Sequence, residues 1–261
     1  MTGNRLQGDL ILAYHLFRRD VQERYAGTVL GVFWLLVQPL FMLALYTLVF
    51  GEVLQLRFGA AASTAMFAFY LFAGLLVFNA LSEVLTRAPS LLTERRELLL
   101  NTPLSGWILP LLPVAASIVL EWLALAVLVV ALLVHGSWKP WGLLLYLPFF
   151  LVRVLLSLAL SCALAVLGVF LRDLRQLMPA VLTVLLFISP IFYPLDMIPE
   201  HLRPLYDWNL LAHLVQGYRD ALLDGQIDGG RLAGLLMVAA LLLALSVWLF
   251  RRLLPQVRMV L

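Results

Sequence analysis

Six stretches of this 261-residue chain are apolar almost without interruption, at about 30–50, 64–86, 105–134, 141–170, 177–194 and 232–250. They match the ~20 residues that a helix needs to cross a bilayer. They lack the alternating ten-residue segments of an outer-membrane barrel. The third and fourth are long enough to tilt or to extend beyond the lipid. Ahead of the first stretch the pattern changes. Over about 4–26, Leu6, Leu10, Tyr14, Phe17, Val21 and Tyr25 fall at helical spacing, while Arg5, Asp9, Arg19, Gln22 and Glu23 take other faces. This predicts an amphipathic helix lying along the membrane interface; an ordinary juxtamembrane linker fits the same pattern. From the end of the fifth stretch onward, Pro190, Pro194, Pro199 and Pro204 forbid one continuous helix. Short amphipathic pieces follow, around 196–203 and 210–224. They are too aromatic and apolar for a solvated loop. Re-entrant or interface-bound helices fit better, because broken backbone at membrane depth must line protein or water. The expected fold is an all-α integral membrane protein, a single transmembrane domain over 1–261 with six helical spans.

Composition agrees. Hydrophobic residues make up 63% and charged residues 13%, against about 25% charge in soluble domains, so the chain cannot cover itself with polar surface. The opening residues MTGNRLQGDL do not read as a signal peptide. The single cysteine, Cys162, sits in an apolar run and reads as packing. Basic residues are unevenly placed. With the N-terminus inside, twelve arginines fall on the inner side (Arg5, Arg18, Arg19, Arg24, Arg87, Arg95, Arg96, Arg172, Arg175, Arg251, Arg252, Arg258). Five basic residues fall outside (Arg57, Lys139, Arg203, Arg219, Arg231), and Arg153 lies within a span. The positive-inside rule then puts both termini in the cytoplasm. The sequence pI of about 9.2 reflects topology and calls for no nucleic-acid partner.

Candidate chemistry is sparse. The only lysine, Lys139, lies in HGSWKPWG, which has no phosphate-cradling glycine loop. The chain therefore has no nucleotide-binding motif and no catalytic set; ATP-driven work would need a separate subunit. The four histidines, His15, His135, His201 and His213, are scattered without metal-ligand spacing, so no metal site is expected. Two charged inner segments could dock such a subunit or could be ordinary solvated loops. In PSLLTERRELLLNTP, Thr93 suits a helix cap, Glu94, Arg95, Arg96 and Glu97 would be exposed, and Pro103 would end the helix. The other segment is LRDLRQLMP, with Arg172 and Asp173. On the first span, Trp34, Gln38, Phe41 and Leu45 share one face. Aromatic faces stack on sugar C–H faces and an amide can bond hydroxyls; lipid contact or helix packing would produce the same face. Glu121 and Arg153 lie deepest in apolar runs. Each is roughly 20 Å from the outer turn between spans three and four, at ~1.5 Å per residue. Matching depth favours a buried ion pair over a substrate contact.

The wording around span one carries a resemblance. Arg19, Asp20, Arg24, Tyr25, Thr28, Leu30, Gly31, Trp34, Pro39, Leu40, Thr47, Phe50 and Gly51 match an R-D…R-Y…T/S-x-L-G-x-x-W…P-L…T-L-V-F-G pattern. Arg172, Asp173 and Pro179 match a second motif before span five. Ser189, Pro190, Ile191, Tyr193 and Pro194, then Asn209, Tyr218, Arg219 and Leu222, match a third. These motifs, in this order, resemble the membrane subunit of ABC-2 type polysaccharide exporters, the family that moves O-antigen, teichoic acid and capsular chains. Two departures stand out: Thr102-Pro103 where the family has F-P, and Leu210 where it has proline.

The resemblance implies a homodimer in the bacterial inner membrane, bound to two copies of a P-loop ATPase that hold the ATP and Mg. It implies a lipid-linked glycan as substrate, contact with membrane lipids and periplasmic export components, and no cofactor in this chain. The helices after span five would form a periplasmic gate. Spans one and five of two subunits would line a conduit, with Trp34, Gln38, Phe41, Phe187 and Tyr193 as candidates. Arg18, Arg19 and Arg24 would meet the acidic lipid headgroup. Glu94, Arg95, Arg96, Glu97, Arg172 and Asp173 would couple to the ATPase. The rivals are an ABC-2 exporter of a drug or peptide and an intramembrane glycosyl or acyl transferase. An enzyme should cluster His, Asp or Glu at span ends, and a secondary transporter should show midplane ions and a repeat.

Overall fold

The computed structural model describes residues 12, 15–19, 28, 31–49, 64–101, 106–193 and 198–261, and within these it is helical with no strand. The first helix, α1 (Trp34–Tyr46), carries Pro39 inside it. Next comes α2 (Thr64–Arg87), then a 3-10 turn at Ala88–Ser90 and two short helices, α3 (Leu91–Glu94) and α4 (Arg96–Asn101). The pair α5 (Leu111–Val134) and α6 (Gly142–Phe170) is joined by the short segment 135–141. Then follow α7 (Leu174–Ile188), α8 (Arg203–Asp207), α9 (Leu210–Arg219) and α10 (Gly229–Val260).

Among the described residues, four segments are long and apolar enough to cross a membrane: Ala65–Glu94, Gly106–Val134, Gly142–Phe170 and Gly229–Val260. The helices Trp34–Val49 and Leu174–Ile188 are apolar but shorter. The fifth predicted stretch, 177–194, is displaced: its helix runs Leu174–Ile188 and stops because Pro190 cannot donate into a further turn. The last helix is longer than its apolar run, because capping at Asp228 starts it early and its last turns leave the apolar zone. Thr93 is not the expected cap. It lies inside α3, where its hydroxyl donates to the Ser90 carbonyl at 2.7 Å, and the helix breaks at Arg95 instead. Pro103, Pro194, Arg24 and most of the predicted 4–26 helix lie outside the described residues. Residues 15–19 are helical, with Leu16 buried and Arg18 and Arg19 exposed.

Packing is centred on α2 and α6. Helix α2 lies against α5 and α9, and α10 runs along α6. One core joins Phe72, Leu76, Leu128, Phe149, Val215 and Tyr218. A second, at the other end, joins Leu16, Leu92, Leu99, Val166, Phe250 and Val257. Met237, Leu241, Leu245 and Trp248 form an exposed stripe on α10, which suits lipid contact.

Glycine permits one close approach. A Cβ at Gly168 would stand 1.9 Å from the Pro89 carbonyl oxygen, so α6 touches the Ala88–Ser90 turn backbone to backbone. Gly168→Ala is therefore expected to cost about 1–3 kcal/mol by overpacking, read as a lower melting midpoint in detergent. Gly234 has open space around it, and Gly234→Ala should be neutral or mildly stabilising. Equal midpoints for wild type and Gly168→Ala would contradict the contact.

Candidate functional site

A buried polar hub lies where α5, α6 and α9 meet. Arg153 on α6 is wholly buried and its Nη2 ion-pairs with Glu121 Oε2 on α5. Its Nη1 donates to Ser117 Oγ at 2.8 Å, one turn before Glu121, and its guanidinium lies 5.0 Å from the Phe150 ring centroid. The other carboxylate oxygen, Glu121 Oε1, accepts from Tyr146 at 2.8 Å and from Tyr218 at 2.5 Å. A buried carboxylate needs this many donors, because charge in a low-dielectric interior is costly unless paired and hydrogen-bonded.

Arg219, the next residue on α9, gives its hydrogen bonds to backbone carbonyls. It is 1% exposed, and its three nitrogens donate to the carbonyls of Tyr70 (3.1 Å), Pro190 (2.7 Å) and Ile191 (2.7 Å). Its guanidinium stacks 3.4 Å from the Tyr70 ring centroid. The Pro190 and Ile191 carbonyls lie just past the end of α7, where proline has broken the helix and left them without helical partners. Asn209 caps α9 by accepting from Leu211 and Ala212, and its amide donates to Ser189 Oγ at 3.0 Å. The cap works with Leu210 at the first helical position, so proline there is not needed. Ser189 and Pro190 are thus tied to Asn209 and Arg219.

The end of the bundle that carries the 135–141 turn is closed by further contacts. Lys139 donates to the Asp224 carbonyl at 2.7 Å, and Gly225 adopts a left-handed conformation beside it. Arg231 ion-pairs with Asp220. Asp228 caps α10 by accepting from the Arg231 N–H, which holds its carboxyl below the usual range. That cap is present at neutral pH and is lost as pH falls through the lowered pKa.

At the other end, the two charged segments lie together. Arg175 pairs with Glu94 at 3.6 Å. Arg172 and Asp173 form the exposed turn before α7; Glu94, Arg96 and Glu97 are exposed, and Arg95 is half-buried. The candidate conduit residues are spread more widely. Trp34 is 41%, Phe41 62% and Phe187 61% exposed. Gln38 is exposed as well and borders a crevice against α2. The Tyr193 hydroxyl donates to the Phe187 carbonyl at 2.5 Å and meets the Tyr206 hydroxyl at 2.7 Å, which ties it to the end of α7.

The model of the ABC-2 type transporter family matches residues 12–223. The chain belongs to that family. Relatives within it include the O-antigen export system permease protein RfbA of Myxococcus xanthus, 29% identical over 72% of this chain and 70% of that protein. The O-antigen export system permease protein RfbA of Klebsiella pneumoniae is 23% identical over 90% and 89%. The polysialic acid transport protein KpsM of Escherichia coli is 28% identical over 82% of each. The ABC-2 match covers all of the hub described above.

Several hub residues were not singled out from the sequence. Tyr146 lies in an apolar run with no local sign of its partner. By contrast, Arg219 was matched to the third motif and counted as an outer-side charge, and only its burial went unread. Ser117 precedes Glu121 by four residues, a helical spacing that could have been used.

Proposed function

We propose that this chain is the membrane-spanning subunit of an ATP-driven exporter that moves a lipid-linked polysaccharide, O-antigen-like or capsular, from cytoplasm to periplasm. The carrying observation is that relatives named for O-antigen export and for polysialic acid transport both align over most of their length and of this chain. Two copies of this chain would work with two P-loop ATPase subunits that bind the ATP and Mg, since the sequence has no such loop. Helices α1 and α7 would complete six spans in the inner membrane, with both termini cytoplasmic. Their exposed aromatic residues, Trp34, Phe41 and Phe187, would face a conduit between protomers. Residues 189–224 would form the gate on the periplasmic side, where export components could engage. An ABC-2 exporter of a drug or peptide is the rival reading. Deleting the gene in its own host decides between them. Loss of surface glycan with cytoplasmic accumulation, restored by the wild-type gene, supports glycan export; intact surface glycan rejects it.

ATPase coupling is assigned to Glu94, Arg95, Arg96, Glu97, Arg172 and Asp173. Reversing Arg95 and Arg96 to Glu is expected to weaken copurification with the ATPase and uncouple export, with insertion unchanged. Unaltered binding and ATPase stimulation would remove this segment from the coupling surface.

Headgroup contact is assigned to Arg18, Arg19 and Arg24. Arginine's planar fork suits phosphate oxygens, whereas simple attraction to anionic lipid is worth ~1 kcal/mol per residue. Arg24→Lys is expected to impair export with normal expression. If lysine is tolerated at all three positions and alanine is not, only generic membrane electrostatics acts there.

A further inference from the structure

Helix α2 carries a polar stripe within an apolar segment. Asn79, Ser82, Glu83, Thr86 and Arg87 recur at helical spacing over its last two turns, and all line one cavity of about 490 Å³. That volume is within the ~300–1,000 Å³ range of small-molecule sites. Helix α1 forms the opposite wall with Gln38 and Tyr46, and the cavity reaches Glu121 of the hub. It lies within one protomer and shares Gln38 with the face of α1 that carries Trp34 and Phe41.

The lining defines what would fit. Its charges are matched in pairs, Glu83 with Arg87 at 3.0 Å and Glu121 with Arg153, so neither an anion nor a cation is favoured. What remains are neutral groups that can both donate and accept: two amides (Gln38, Asn79) and three hydroxyls (Tyr46, Ser82, Thr86). Ser82 Oγ is buried with no hydrogen-bond partner, a cost that a ligand or water must relieve. Pro39 also lines the cavity, and it cannot donate to the Leu35 carbonyl one turn earlier, which leaves another acceptor on this wall. Leu35, Met42 and Leu75 supply apolar surface beside these groups. Neutral donor-acceptor groups set against apolar walls match a ring that bears hydroxyls at its rim and C–H bonds on its faces.

We propose that this crevice between α1, α2 and α5 binds a neutral sugar ring. The sugar could belong to the exported glycan, in which case the proposal rests on the export reading, or to the head of a membrane glycolipid, in which case it does not. The test uses the full chain in nanodiscs of phosphatidylethanolamine and phosphatidylglycerol, with an octyl glucoside bearing a diazirine next to the sugar as photoprobe. Saturable labelling of residues 35–46 and 79–87 is expected. Octyl glucoside should compete at least tenfold better than octyl phosphocholine. Asn79→Leu with Ser82→Val should weaken labelling at least tenfold; Gln38→Leu, on the other wall, serves if that variant fails to fold. Competition by lipid-free glycan from the host surface would identify the exported chain as the source, and its failure beside effective octyl glucoside would identify a glycolipid head. Non-saturable labelling, equal competition by phosphocholine, or unchanged labelling of the folded variants overturns the proposal. Failure of the export reading is seen separately, as intact surface glycan in the deletion strain.

Discussion

Glu121→Gln alone and Arg153→Met alone are each expected to lower the melting midpoint of the purified protein by on the order of 10 °C. Breaking a fully buried ion pair from one side typically costs about 3–5 kcal/mol, and a chain of this size loses roughly 2–4 °C per kcal/mol. The reason is asymmetric. With Glu121 neutralised, Arg153 keeps its charge and retains only Ser117 and the Phe150 ring. With Arg153 removed, the carboxylate retains only the two tyrosine hydroxyls. The double variant leaves no buried charge and should recover part of the loss, which a double-mutant cycle measures directly. Tyr218→Phe should cost less, about 1.5–3 kcal/mol, since it removes one of two hydrogen bonds to a charged oxygen. Strictly additive losses would argue against the pair as a structural unit. Normal melting with lost export would instead point to substrate contact.

The sequence made some of this legible and hid the rest, for physical reasons. Glu121 and Arg153 could be matched because a constant rise per residue turns distance from a shared turn into depth. Their tyrosine ligands could not. Tyr218 comes from α9, 97 residues further along the chain than Glu121, and no local period encodes that return. Proline predicted that the helix after α7 must break, yet could not say what would bind the carbonyls it exposed. The α2 stripe was readable in principle, because Asn79, Ser82, Glu83 and Thr86 keep helical spacing; the hydropathy of the whole span masked it. Thr93 misled because a hydroxyl that can cap a helix can equally bond back to a carbonyl inside one. The contact of Gly168 with Pro89 depends on how two elements cross, which composition does not report.

Arg219→Met is expected to loosen residues 189–193 and α9 from the helices they pack on. The substitution keeps apolar bulk but removes donors to three carbonyls, on Tyr70, Pro190 and Ile191. Each carbonyl left buried and unpaired costs about 1–3 kcal/mol. The losses fall on one junction, because the arginine bridges α2, the broken end of α7 and α9 beside the Asn209–Ser189 contact. Arg219→Lys should recover only a small part. One ammonium cannot serve three carbonyls that a planar fork reaches together, and it forgoes the stacking on Tyr70. Gly74→Ala approaches the same contact from the other side, since its Cβ would stand 2.9 Å from Arg219 Nη2, and should give a milder form of the same defect. Hydrogen exchange reads the effect locally: protection at 189–193 and 209–219 should fall in Arg219→Met, while the α5–α6 pair, held by Glu121 and Arg153, keeps its own. Wild-type exchange rates at 189–193 together with an unchanged melting midpoint would show that this junction is held by its apolar packing alone, through Leu214, Val215 and Leu222, and that the buried charge has some other purpose.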